Sequence, residues 1–379
     1  MSDLHVTQVG DRGSKKAFLQ VPHTVFANDP AWIAPLFFER SQHISTKHNP
    51  FFKHASAQLF VAMKDGQPVG RISAQVDDLW LERYNDATGM FGFLDAVDDA
   101  AVFGALFDAA HGWLKTQGMT RSIGPFSFSI NEETGLLVDG FEYPPAMMMG
   151  HAKPYYATHV ENAGYEKVKD VLAYDFNVSQ EPPRALARML EKVRATGDLE
   201  IRPMSKKNLD RDLTILIDIF NDAWSENWGF VPFSKAEIEK LGQDLKMLVE
   251  EEFIAFASYK GKPCAMAVSL PDINRAAHDL NGRLLPFGWA KLLSRLKFSA
   301  PEAVRLPLMG VRKAYHGTPL GSALAIAVIE ATRTYHNSRC TKRAELSWIL
   351  EDNLPMRRMI EAVGGTAYKT YRVYQRDLK

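Results

Sequence analysis

Two distant stretches of this chain close in the same way, and that repetition limits the fold more than any other feature. A helical pattern over 155–163 stops at Gly164, and a strand pattern follows over 168–178. Much later, a helical pattern over 355–363 stops at Gly364-Gly365, and a strand follows over 366–374. The preceding elements also correspond. β-type runs at 58–63, 69–76 and 90–97 lead to a helix whose apolar face carries Phe103, Leu106, Phe107, Ala110, Trp113 and Leu114, then to a strand at 122–126. In the second half, strands at 199–203, 253–259, 263–270 and 304–311 and helices at 209–224 and 235–249 lead to a helix over 321–335 and a strand over 344–350. The alternation predicts an α/β (α+β) chain: two tandem domains, each a mixed twisted sheet flanked by helices. Pro182-Pro183 interrupts it. The expected domains are therefore 1–178 and 199–379, with 179–198 as a linker that carries a charged helix over 184–194.

Length and charge narrow the function. At 379 residues the chain has room for two domains with cores of their own. Its 45 basic and 45 acidic residues cancel, which argues against a nucleic-acid partner, since phosphate binding needs a basic surplus or stripe. Two cysteines, Cys264 and Cys340, make no disulfide framework and predict a reducing, cytoplasmic compartment. Residues 1–10 do not read as a signal peptide, and no run approaches the ~18 apolar residues of a membrane span. The histidines show no metal-ligand spacing, so no metal is expected.

The segment 306–325, LPLMGVRKAYHGTPLGSALA, joins a strand to a helix through a turn holding Gly317 and Gly321. A helix N-terminus offers unpaired N–H groups and about half a positive charge, and glycine lets backbone approach an anion. Such a junction suits a pyrophosphate. It has neither the Gly-Lys-[Ser/Thr] ending of a P-loop nor the glycine spacing of a dinucleotide fingerprint. The residues His316-Gly317-Thr318-Pro319-Leu320-Gly321 resemble the acyl-CoA pyrophosphate loop of the GNAT superfamily, Arg/Gln-x-x-Gly-x-Gly/Ala. The last glycine matches; His316 replaces the leading residue, and Pro319 replaces the first glycine and removes one amide. This resemblance makes Met309, Gly310, Val311, His316, Gly317, Thr318, Leu320, Gly321, Ser322 and Ala323 the expected acyl-CoA contacts. The matching junction in the first half, 95–100, reads Asp-Ala-Val-Asp-Asp-Ala. Asp98 and Asp99 are good helix caps whose charge opposes a pyrophosphate. One cofactor site is therefore expected, in the second half.

Further stretches extend the resemblance across the chain: NDPAWIAPL at 28–36, NPFF at 49–52, GRISA at 70–74, FGF at 91–93, GLLVDGFEYPP at 135–145, NDAWSENWGFVP at 221–232 and ELSWILEDN at 345–353. The chain resembles a family of tandem-GNAT bacterial proteins that includes the bacterial ceramide synthases. The resemblance implies an N-acyltransferase that moves a fatty acyl group from acyl-CoA to a lipid-like amine such as a sphingoid base. Two other readings stay open: an acetyl- or aminoacyl-transferase on a small or cell-wall amine, and a non-catalytic acyl-CoA or lipid-binding protein.

Such a transfer needs a base for the amine proton and fixed donors for the developing oxyanion. The candidate bases are Glu345 and Glu351, which period-2 alternation places on one strand face. Backbone N–H groups near Met309-Gly310-Val311 are candidate oxyanion donors, and Gly310 predicts a bulge or a close backbone approach. Asn353 stands where GNAT proteins often have an asparagine opening the next helix. The position of their acidic tyrosine falls on Ile360, which leaves Tyr315, Tyr368 and Tyr371 as substitutes. Trp224, Trp228, Phe230 and Phe233 crowd a loop that borders the acceptor site in GNAT proteins, and with Trp348 they are the expected substrate contacts. Residues 284–298 combine an apolar face with Lys291, Arg295 and Lys297, a pattern that predicts peripheral contact at the inner membrane face.

Overall fold

The computed structural model describes residues 3–379, which divide into two compact units. Among the described residues, unit 1 comprises 3–172, 277–289 and 369–379; unit 2 comprises 173–276 and 290–368.

The chain begins with β1 (Leu4–Gln8), α1 (Arg12–Val25) and α2 (Phe37–His43). Next come β2 (Ala55–Lys64), β3 (Gln67–Asp77), α3 (Asp78–Tyr84), β4 (Thr88–Ala96) and α4 (Ala100–Thr116). Four short strands follow, β5 (Arg121–Gly124), β6 (Phe126–Ser127), β7 (Glu133–Thr134) and β8 (Leu136–Asp139), then α5 (Tyr155–Asn162) and β9 (Glu166–Asn177). The order resumes with α6 (Arg184–Arg194), β10 (Leu199–Pro203), α7 (Leu209–Trp224), α8 (Lys235–Leu248), β11 (Ile254–Tyr259), β12 (Lys262–Pro271), α9 (Ile273–Ala277) and α10 (Gly288–Lys297). It ends with β13 (Ala303–Val311), α11 (Pro319–Ser338), β14 (Arg343–Leu350), α12 (Leu354–Ala362) and β15 (Thr366–Asp377).

Each unit builds the same sheet. In unit 1, β1, β2, β3 and β4 pair antiparallel in sequence, and β4 then pairs parallel with β5 after the crossover helix α4. In unit 2, β10 to β13 pair antiparallel and β13 pairs parallel with β14 after α11. A parallel neighbour requires such a crossover, whereas antiparallel neighbours need only a hairpin. Both units make one hairpin alike: Asp65-Gly66 and Lys260-Gly261 have positive φ at both residues, the conformation of a two-residue turn matched to strand twist.

Sequence features account for the local starts and stops. Asp11 and Ser234 each close a capping box at the N-termini of α1 and α8. The strand expected at 122–126 divides into β5 and β6 at Pro125, which has no N–H for a ladder. α11 begins at Pro319 rather than Gly321, because proline is pre-organised for the first helical position and Thr318 caps it. In unit 1, Phe18, Phe51, Phe93 and Phe128 meet in one core cluster with Ile44 and Leu59. In unit 2, α7 and α11 pack on β12 and β13, with Ala323–Val328 of α11 wholly buried.

Candidate active site

The parallel ladder between β13 and β14 runs only from Ala303↔Arg343 to Leu306↔Leu346. Both strands continue, to Val311 and Leu350, so they part and leave a V-shaped cleft. Pro307 follows the last pair, and its missing N–H cannot extend the ladder. The sequence points to Gly310 for this break, and the structure puts the cause elsewhere. Gly310 stays in register opposite Met266, and the irregularity lies between Val268 and Leu270 on β12. Gly310 serves the close approach of α7, since a Cβ there would meet Ala223 at 3.3 Å.

The cleft holds a cavity of about 90 Å³. Leu306, Pro307 and Met309 form one wall and residues 346–350 the other; Met356, Met359, Ile360 and Val363 close it from α12, with Ile329, Phe176 and Trp224 at its margins. Asn227, Ser347 and Asn353 are its polar residues. A mostly apolar cleft with a few placed polar groups is the usual form of a small-molecule site. Asn353 also caps α12, its Oδ1 accepting from the Met356 N–H at 3.3 Å.

At the open end lies the turn from β13 to α11. Gly317 has φ +70°, a conformation that favours glycine. At Gly321 the Tyr315 carbonyl occupies the space a Cβ would need. Thr318 Oγ1 accepts from the Gly321 N–H at 3.0 Å and donates to the Tyr315 carbonyl at 2.7 Å. The turn carries two cations that sequence reasoning passed over: Arg312, paired with Asp218, and Lys313, paired with Glu226 at 2.6 Å. His316 Nε2 meets the Val311 carbonyl at 2.6 Å, so His316 braces the turn. Leu320, Ser322 and Ala323 lie in the first turn of α11.

Of the expected site residues, the cavity collects Met309, Asn353, Trp224 and Trp348, whose two indole rings lie 6.0 Å apart. Phe230 and Phe233 pack instead against Phe220, at 5.4 and 5.1 Å, and with Trp228 they are absent from the cavity wall. Tyr315 also lies off it, with its hydroxyl 3.4 Å from the Sγ of buried Cys264. Glu351 falls just beyond β14, where its backbone carbonyl accepts from Arg357 at 2.7 Å.

Glu345 is buried behind the cleft in a polar network that the sequence does not announce. Its Oε1 accepts from the Ser347 hydroxyl at 2.5 Å, and its Oε2 accepts from the Tyr368 hydroxyl. Arg305 Nε donates to Ser347 Oγ at 2.9 Å. The only advance signal was spacing: Glu345 and Ser347 are two residues apart on one strand.

The corresponding junction in unit 1 is filled. β4 and β5 pair from Thr88↔Arg121 to Met90↔Ile123. Beyond that point the Phe126 carbonyl occupies the space of a side chain at Gly92, and Gln75 Nε2 donates to the Phe126 and Phe128 carbonyls at 2.7 and 3.0 Å. Asp99 caps α4, accepting from the Ala101 N–H at 2.9 Å, and Asp98 holds His159 at 2.8 Å. Among the described residues no group of three or more His, Cys, Asp or Glu side chains is placed to hold a metal ion, and no helix is long and apolar enough to cross a membrane.

No family model matches the chain. It is 46% identical over 373 residues to protein YghO of Escherichia coli (97% of this chain, 94% of that one). It is 43% identical over 378 residues to the bacterial ceramide synthase of Caulobacter vibrioides (100% of this chain, 98% of that one). Among solved structures it is similar to a tandem GNAT protein from the clavulanic acid biosynthesis pathway, with a TM-score of 0.60 and 11% identity, covering 100% of this chain and 99% of that one. That likeness bears out the expected fold: a tandem GNAT arrangement of mixed sheets flanked by helices.

Proposed function

Since the chain belongs to the tandem-GNAT family that includes bacterial ceramide synthase, we propose that it moves a fatty acyl group from acyl-CoA to a long-chain amine of the sphingoid type. Family membership makes it an N-acyltransferase; the donor and the acceptor are our reading. The observation that carries it is the apolar cleft between β13 and β14, open in unit 2 and filled at the corresponding place in unit 1.

Beyond Leu306, β13 has no strand partner on the cleft side, so alternate N–H groups of residues 308–311 face the cleft. A thioester carbonyl seated there receives donors that stabilise its oxyanion. The turn at 312–321 supplies Arg312, Lys313 and the N-terminus of α11 for the diphosphate. Trp224 and Trp348 give apolar surface for an acyl chain or a lipid amine. α10 supports delivery from a bilayer: Leu285, Phe287 and Phe298 beside it are 79%, 78% and 83% exposed, and Lys291, Arg295 and Lys297 accompany them.

The test is thiol release from acyl-CoA thioesters of graded length, with sphinganine, glucosamine or no amine. Release that needs sphinganine and rises with chain length is expected. Release with acetyl-CoA alone would overturn the lipid substrate, and tight CoA binding without turnover would make the protein a binding module.

A further inference from the structure

We propose that the Ser347 hydroxyl carries the proton of the attacking amine from the cleft to the buried carboxylate of Glu345. This rests on the acyl-transfer reading above.

The relay follows from where the ladder ends. Arg305 and Glu345 are cross-strand partners one step before the last pair, Leu306↔Leu346. Both are buried, and neither lines the cavity; Ser347, itself 1% exposed, does. Ser347 lies two residues beyond Glu345, on the same strand face and in the cleft wall. Its hydroxyl donates to Glu345 Oε1 at 2.5 Å and accepts from Arg305 Nε at 2.9 Å. Arg305 Nη2 also donates to the Ser347 carbonyl at 3.2 Å, which fixes the residue at both ends.

A buried carboxylate is costly unless charge and hydrogen bonds compensate it. Besides Ser347, three groups face this one. Arg305 on β13 lies 4.0 Å from Oε1. Arg343, on β14 with Glu345, stacks over the Tyr368 ring at 4.7 Å and pairs with Asp175 on β9. Tyr368 on β15 donates to Oε2. Burial and the adjacent carboxylate push the Tyr368 hydroxyl far above its usual range, so it remains a donor. Of the groups around Glu345, Ser347 is the one that also borders the cleft.

In the step itself, the amine nitrogen bonds to the thioester carbon and the carbonyl electron pair moves to oxygen. The nitrogen's proton passes to Ser347 Oγ as the serine's own hydrogen passes to Glu345 Oε1. The carbonyl then re-forms, the carbon–sulfur bond breaks, and the proton returns through Ser347 to the departing thiolate. Amide and free CoA are the products, and the protein is restored.

The experiment measures thiol release by the full chain with long-chain acyl-CoA and sphinganine across pH. The variants are Ser347→Ala, Ser347→Thr, Glu345→Gln and the Ser347→Ala/Glu345→Gln pair, with folding checked by circular dichroism. Ser347→Ala is expected to lower kcat about 100-fold with KM for acyl-CoA unchanged, the size of a lost proton-transfer group. Ser347→Thr restores the hydroxyl and stays within about tenfold of the parent. Glu345→Gln lowers kcat at least as far as Ser347→Ala, and the paired variant is no slower than Glu345→Gln alone, because the two act as one unit. A Ser347→Ala variant that keeps its rate and pH profile, or a paired variant whose losses multiply, overturns the relay while the functional reading stands. A parent protein that releases no thiol with any acyl-CoA and amine overturns both.

Discussion

At Gly321 an observed steric need stands beside a proposed binding role. The loop resemblance marks it as an anion contact, and the structure adds a steric reason, the Tyr315 carbonyl packed where a Cβ would stand. Gly321→Ala must therefore displace the 313–318 turn, at an overpacking cost of about 1–3 kcal/mol. The expected outcome is a weaker CoA affinity together with a lower melting temperature, read by calorimetric titration and a thermal scan; an unchanged CoA affinity would remove the turn from the site. His111 and His336 make a second case, one buried in each unit. Nε2 of His111 meets the Tyr165 hydroxyl at 2.8 Å, and Nε2 of His336 meets the Ser269 hydroxyl at 2.7 Å. Burial lowers both to about 4, helped at His111 by Arg376 and Lys115. The unfolded chain protonates these rings near pH 6.5 and the folded chain near pH 4, so the unfolded state binds more protons in between and stability falls as pH drops through that window. The full effect is on the order of 3 kcal/mol per histidine. Melting temperature should fall between pH 7 and pH 4.5, and fall less in the His111→Gln/His336→Gln variant.

At the scale of elements, strand β13 decides the site. Its sequence reads as one uninterrupted strand, yet Pro307 ends its parallel ladder four residues before the strand itself stops. Helix α10 carries its own prediction. Aromatic and aliphatic side chains that remain in water forgo about 1.5–3 kcal/mol each, which a lipid surface recovers. The full chain should float with vesicles rich in phosphatidylglycerol and much less with pure phosphatidylcholine, because Lys291, Arg295 and Lys297 add attraction to anionic headgroups. The Leu285→Ser/Phe287→Ser/Phe298→Ser variant should lose at least tenfold in vesicle affinity. Equal flotation of variant and parent would remove the segment from membrane contact.

Across the whole molecule, one strand order is built twice, and the proposed acyl-CoA site occupies one copy. In each unit the parallel pair parts after a few residues; in unit 1 the Phe126 carbonyl occupies the gap, while in unit 2 the gap stays open. Hydrogen exchange on binding acyl-CoA should therefore slow within 303–323 and 346–363 and stay unchanged within 88–102. Slowing confined to 88–102 would place the nucleotide in the wrong repeat.

Apolar periodicity and glycine stops determined the repeated order of elements, since both are local signals carried by residues close in the chain. The capping carboxylate at Asp99, the strand-to-helix turn at 316–321 and Asn353 at the head of α12 are legible for the same reason. The opening segment β1–α1 carries little signal, because a five-residue strand and a helix whose apolar face is interrupted by Pro22 give little period to detect. The sequence placed Phe230 and Phe233 beside a ligand, and packing turned them toward Phe220, because an aromatic run says nothing about which side of a loop faces the cleft. The join of Arg305, Ser347, Glu345 and Tyr368 was likewise a tertiary matter. It depends on a cross-strand register and a distant strand, and long-range pairings of that kind leave no pattern in neighbouring residues.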